Sequence, residues 1–240
     1  GADADFSRAI ELNGDDAAAY INRGKARREK GDTDGAIEDF CKALELNPAD
    51  ADAYLHRGSA YFRKGDTSKG LADFRKAIEL DPDNIDLYMV RGQARFNCGY
   101  YDLAEEDFDQ VIRFDPKHVY AYTKRGRARQ FKGEKESAQA DFDRAVELDP
   151  QNPVVYLCRG LFHHRNKNPD AAWADYNQAM AIDPQSAGAY IGRGNILYQK
   201  GELEEAFGNY DKANELDPEC RNLHINCDFA WCTRHMRQAQ

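Results

Sequence analysis

Apolar residues recur along this chain in proline-free blocks at spacings of three and four, as in Tyr54, Leu55, Tyr61 and Phe62. That period belongs to an amphipathic helix. Such blocks stop at glycines: Gly31, Gly65, Gly99, Gly133 and Gly201. Glycine just past a helix accepts a left-handed cap without steric cost. A second apolar block follows and ends at Asn-Pro or Asp-Pro. It must end there, because a proline drives the preceding residue out of the helical region. The pattern predicts helix, glycine turn, helix and proline break, repeated along the chain.

The repetition is strict. Tyr-x-x-Arg-Gly occurs at Tyr20–Gly24, Tyr54–Gly58, Tyr88–Gly92, Tyr122–Gly126, Tyr156–Gly160 and Tyr190–Gly194, always 34 residues apart. A fixed period of roughly 20–50 residues marks an architecture in which each repeat packs only on its neighbours. With the tyrosine as position 4, full repeats run 17–50, 51–84, 85–118, 119–152, 153–186 and 187–220. Position 20 is small (Ala36, Gly70, Ala104, Ala138, Ala172, Ala206). Position 24 is aromatic (Phe40, Phe74, Phe108, Phe142, Tyr176, Tyr210), and the four-residue spacing puts both on one face of the second helix. A glycine within a helix costs roughly 1 kcal/mol against alanine. Six of them at position 8 require a packing reason. Two helices crossing closely, with position 20 opposite, would supply it.

These positions resemble the tetratricopeptide repeat: an aromatic at 4, glycine at 8, small residues at 20 and 27, an aromatic at 24 and proline at 32. The resemblance extends over essentially the whole chain. It implies an all-α fold, a right-handed α-solenoid of antiparallel helix pairs whose first (A) helices line a concave groove. Residues 1–240 are then expected to form a single array.

Ala2, Phe6 and Ala9 occupy positions 20, 24 and 27 of a preceding repeat. Residues 1–14 therefore read as half a repeat, and the chain as a piece of a longer array. Residues 221–240 read as a capping helix with Asp228 at position 8, where no second helix presses on it. The fifth repeat replaces its glycine turn with Asn166-Lys167-Asn168-Pro169. Asn166 or Asn168 is expected to take the left-handed conformation, and Pro169 the first helical turn.

A net charge of −9 disfavours nucleic-acid binding by bulk charge. No apolar run approaches a membrane span of about 18 residues, and no secretory leader opens the chain, so a cytoplasmic setting is expected. Six cysteines at irregular repeat positions point to free thiols, not to a disulfide framework. Charge is segregated: the six A helices hold 19 Lys/Arg and three acids, Glu29, Asp52 and Asp86. A basic-tinged groove is expected, with acids elsewhere, some in first turns of B helices where the dipole favours them.

Position 7 is Arg23, Arg57, Arg91, Arg125, Arg159 and Arg193; position 23 is Asp39, Asp73, Asp107, Asp141 and Asp175, then Asn209. A repeating arginine–carboxylate pair is the natural reading. The functional alternative is a ladder of arginines for an anionic ligand. The resemblance assigns ligand contacts to positions 2, 5, 6, 9, 12 and 13. The first two repeats supply Asn22, Lys25, Leu55, His56, Phe62 and Arg63 there, and the third Met89, Val90, Gln93 and Phe96. The fourth supplies Tyr120, Lys124, Arg127 and Phe131, and the last two Leu157, Leu161, Arg165, Asn195 and Tyr198. Apolar residues without intramolecular partners on such a face suggest an interaction site, although some are expected to pack on a neighbouring A helix.

The carboxylate clamp of chaperone-tail-binding members is not reproduced: Asn22 is followed by Asp52 and His56 where the clamp needs Lys and Arg. Cys220, His224, Cys227, Cys232 and His235 fall on one broad helical face, with loose spacing for a metal. Covering the preceding helix B accounts for His224, Cys227 and Trp231 more simply. No nucleophile elbow, phosphate-cradling loop or zinc-protease motif is present, and no cofactor is implied. The expectation is a non-catalytic module binding an acidic peptide or protein segment. Apolar anchors would be Phe62, Phe96 and Tyr120, with Lys124 and Arg127 selecting acid. The alternatives are the recognition arm of a larger enzyme and a scaffold self-associating through its end helices.

Overall fold

The computed structural model describes residues 2–218, and among these it has thirteen α-helices and no strand. The expected capping helix at 221–240 and the Cys220–His235 cluster lie outside the described residues. A half repeat, α1 (Ala2–Leu12), precedes the pairs α2 (Ala17–Glu29) and α3 (Thr33–Leu46), α4 (Ala51–Lys64) and α5 (Thr67–Leu80), and α6 (Ile85–Asn97) and α7 (Tyr101–Phe114). Then come α8 (Val119–Lys132) and α9 (Lys135–Leu148), α10 (Pro153–Arg165) and α11 (Pro169–Ile182), and α12 (Ala187–Lys200) and α13 (Leu203–Leu216).

The chain divides into two compact units, Gly1–Ala121 and Tyr122–Gln240, with the boundary inside α8. Within the first, α2 packs on α3, α4 on α5 and α6 on α7, while α3 and α5 each also meet the next A helix. Within the second, α10 packs on α11 and α12 on α13, with α9 against α10 and α11 against α12. The short turns make each pair antiparallel.

Several helix starts are capped by side chains. Asp16 accepts from the Ala19 amide at 3.1 Å, Asp50 from Ala53 at 2.9 Å and Asn152 from Val154 at 3.0 Å. Each satisfies an amide that the first turn leaves without a helical partner. A helices end as the sequence predicts, with Gly31, Gly65, Gly99, Gly133 and Gly201 all at φ between 79° and 90°.

The fifth repeat corrects one expectation. Lys167 itself is left-handed (φ 59°), while Asn166 and Asn168 keep φ of −86° and −112°. The closing hydrogen bonds explain this. Asn168 N donates to His163 O at 2.9 Å, as Asp32 N donates to Arg27 O at 2.9 Å in the first repeat. That ring requires a left-handed residue at position 15 whatever its side chain. Asn168, meanwhile, is the N-cap of α11, accepting from the Ala171 amide at 3.3 Å, and a cap is not left-handed. Pro169 opens α11, as expected.

The core is the aromatic at position 24. Phe40, Phe108 and Phe142 are fully buried, and Phe74 and Tyr176 nearly so. A Cβ on Gly24 would come within 2.7 Å of the Phe40 ring; on Gly92 and Gly160 it would meet Phe108 and Tyr176 at 2.8 Å. The close crossing is therefore real, but the nearest neighbour is mostly the ring at position 24. In the second repeat the opposing backbone also comes near, with Gly70 O 3.0 Å from a Cβ on Gly58.

A lysine in the left-handed region carries a penalty of roughly 1–2 kcal/mol that glycine avoids, partly offset by glycine's larger unfolded-state entropy. Lys167→Gly is expected to raise stability by about 1 kcal/mol. Urea unfolding checks this, and an unchanged or lower midpoint would contradict the geometry assigned to this turn.

Candidate functional site

Positions 7 and 8 are adjacent on helix A, and 23 and 24 are adjacent on helix B. Seating the ring against the glycine therefore sets the aspartate beside the arginine. Arg23 grips Asp39 through Nε and Nη2 at 2.9 and 2.6 Å, Arg57 grips Asp73 at 2.8 and 2.8 Å, and Arg125 grips Asp141 at 3.0 and 2.6 Å. Arg91–Asp107 and Arg159–Asp175 repeat the fork, with shortest contacts of 2.7 Å. All five carboxylates are buried. Each of these arginines also lies over its own position-4 tyrosine, at 5.3 to 5.8 Å from the ring centroid. Hydrogen bonds to Asp73 and Asp175 hold the Arg57 and Arg159 guanidinia above their ordinary range. The pairing expected from the sequence is thus architectural.

A second arginine escaped sequence reasoning. Arg27, Arg95 and Arg129, at position 11, reach the same aspartates at 3.1, 2.8 and 2.9 Å. The signal was available, since position 11 lies one turn after position 7 on the same face. Other repeats place Tyr61, His163 or Leu197 there. The sixth repeat breaks the pattern. Asn209 turns to Glu205 O at 2.8 Å, and Arg193 lies over Trp173 at 4.5 Å with its Nε buried and without a hydrogen-bond partner.

The candidate ligand positions lie on the other side of helix A. In the first compact unit many of them are engaged with one another. Lys25 pairs with Asp52 at 3.0 Å, Arg28 Nη1 lies 3.3 Å from His56 Nδ1, and Arg63 donates to Arg28 O at 2.8 Å. His56 stacks on Phe40 at 5.8 Å. Burial, then Lys25 and Arg28, pushes the His56 pKa down to about 4. Phe62 stacks on Phe74 at 5.9 Å, and Phe96 sets its edge against Tyr101 at 5.3 Å. Two of the three expected anchors, Phe62 and Phe96, therefore pack on their own B helices. Gln93 donates to Asn97 at 2.7 Å. Leu55, Met89 and Val90 are half-buried, and Asn22 and Tyr120 are exposed.

In the second compact unit, Phe131 and Leu161 are 44% and 43% exposed. The Arg165 guanidinium lies 5.3 Å from the Phe131 centroid. Lys124 and Arg127 act electrostatically on Cys158, whose thiol burial pushes up in pKa. Leu157 lies against Gly188, Asn195 accepts from the Tyr210 hydroxyl at 2.8 Å, and Tyr198 packs with Leu197 and Tyr210. Cys41, Cys98 and Cys158 are free thiols. Among the described residues no helix is long and apolar enough to cross a membrane.

Sequence models described as tetratricopeptide repeat match residues 51–84, 85–118, 123–187 and 187–220, and one described as TPR repeat matches 24–65. The chain belongs to the tetratricopeptide-repeat family. A search among curated proteins found no match. Among solved structures, this TPR chain is similar to YrrB, described as a TPR protein with an unusual peptide-binding site: TM-score 0.60, 25% identity, covering 77% of this chain and 95% of that one. A tetratricopeptide repeat protein from Parabacteroides merdae aligns with TM-score 0.77 and 22% identity over 90% of this chain and 85% of its own. The APC/C hetero-tetramer Cut9–Hcn1 gives TM-score 0.71 at 15% identity, over 94% of this chain and 44% of that one. These last two likenesses bear on the fold alone.

Removing one partner of a buried ion pair costs about 3–5 kcal/mol. Asp141→Ala, which leaves both Arg125 and Arg129 without their carboxylate, is expected to destabilise the TPR protein by about 3 kcal/mol in chemical denaturation. A change below about 1 kcal/mol would mean the pair is ornamental. His56 supplies a pH test. Between about pH 6.5 and 4 the unfolded chain binds a proton at this histidine and the folded chain does not, so stability falls as pH drops through that window. His163 and His164, also lowered by burial, act in the same direction. The slope is expected to flatten in His56→Gln, measured as midpoint against pH beside wild type.

Proposed function

We propose that this TPR protein is a non-catalytic interaction scaffold whose A-helix faces hold an extended peptide or protein segment. The observation that carries the reading is the composition of the second unit's face. There Phe131 and Leu161 stand exposed, with Lys124, Arg127 and Arg165 on the same helices. An apolar side chain flanked by cations suits a ligand with an apolar anchor and neighbouring acids. In the first unit Lys25 is already matched by Asp52, so that face makes a weaker demand for acid. The likeness to YrrB, with its peptide-binding site, supports a peptide ligand.

Selection from a random peptide library on the immobilised protein tests this. Enriched sequences are expected to combine acidic residues with an aromatic or leucine. The double substitution Arg127→Glu with Leu161→Ser should weaken their binding at least about tenfold while leaving the melting temperature unchanged. Equal affinity for both proteins would remove this face from consideration.

A further inference from the structure

The position-7 arginine has a second partner besides its aspartate. Its Nη1 reaches back to position 25 of the preceding repeat: Arg23 to Ser7 Oγ at 3.3 Å, Arg57 to Cys41 Sγ at 3.5 Å and Arg159 to Asp143 at 2.8 Å. The third repeat departs from this. Position 25 of the repeat before it is Arg75, a donor where an acceptor belongs. Arg91 gives Nε and Nη2 to Asp107, and its Nη1 finds no acceptor among the described residues. Arg75 is exposed and makes no ion pair among the described residues.

An open pocket of about 280 Å³ lies at this point, walled in part by Leu71, Arg75, Arg91, Arg95, Tyr100 and Leu103. It sits on the B-helix side, since positions 7 and 11 are turned away from positions 5 and 9 by roughly half a helical circumference. Of the three guanidinia there, those of Arg91 and Arg95 share one carboxylate, that of Asp107, and Arg75 has none. The apolar wall is unusual too. Position 16 is Asp32, Asp66, Glu134, Asn168 or Glu202 in the other full repeats but Tyr100 here. Tyr100 gives α7 no side-chain cap and is 51% exposed, and Leu103 is 41% exposed. Neither exposure is required by the core.

We propose that this pocket between α5, α6 and α7 is a second ligand site, taking an aspartate or glutamate side chain of a partner peptide together with an adjoining apolar side chain. The carboxylate supplies the acceptor that position 25 lacks, lying between Arg91 Nη1 and Arg75. The planar fork of a guanidinium matches a carboxylate with two hydrogen bonds. The apolar neighbour packs on Leu71, Tyr100 and Leu103. The site is separate from the A-helix face and does not depend on that reading.

Fluorescence anisotropy with a fluorescein-labelled peptide of alternating glutamate and leucine tests it, with the glutamine–leucine peptide as control. The background is the Arg127→Glu/Leu161→Ser protein, in which binding to the A-helix face is weakened. The acidic peptide is expected to bind this background at least about tenfold tighter than its control, more so at low salt. Arg75→Asp, which installs the internal acceptor present as Asp143 two repeats later, should abolish that preference with the melting temperature held or raised. Tyr100→Asp, restoring the usual helix-cap residue, should weaken it independently. No preference in this background, or a preference that survives both substitutions, would overturn the proposal.

Discussion

In each full repeat an aromatic ring at position 24 lies against the place a Cβ on the position-8 glycine would take, and helices A and B approach this closely because that carbon is missing. A Cβ there would face ring atoms at about 3 Å or less in most repeats, which a packed core cannot relieve without moving a helix. The approach then brings position 23 against position 7. A carboxylate buried at that depth is tolerable only if paired and hydrogen-bonded, and the arginine fork does both. In three repeats a second arginine at position 11 completes the set. The constant residues thus form a dependent group in which each is required by the one before.

What this leaves for recognition differs between the two compact units. In the first, the face bearing Lys25, Arg28, His56 and Arg63 closes on itself through contacts between successive A helices. In the second, Phe131 and Leu161 project from the corresponding positions. The same backbone presents a satisfied polar surface in one place and an apolar one in another. The fold sets where side chains point, and the variable letters decide whether they engage a neighbouring A helix or stay exposed.

The departures from the repeat are informative because the scaffold tolerates them. Lys167 accepts a left-handed backbone so that the turn keeps its closing hydrogen bond. Asn209 replaces the aspartate, and Arg193 moves onto Trp173. Arg75 and Tyr100 each replace a residue that would have completed a local hydrogen bond, and together they frame an open basic pocket. A solenoid can absorb such exceptions because each repeat depends only on its neighbours.

Helix order, turn positions and the arginine–aspartate pairing were legible in the chain, because they rest on local hydrogen bonding, proline and glycine geometry, and residues repeated at one step. The candidate ligand face was legible only as a set of positions. Whether Phe62 and Phe96 would be anchors or would fold back onto Phe74 and Tyr101 depended on rotamers that no periodicity records. Nor does spacing reveal that His56 is buried beside Lys25 and Arg28 and loses basicity there, or that Arg75 and Arg91 line one pocket. Which residues repeat, and therefore which build the frame, can be read from the chain alone. Which of the others remain exposed is settled on folding, by side chains brought together from neighbouring repeats.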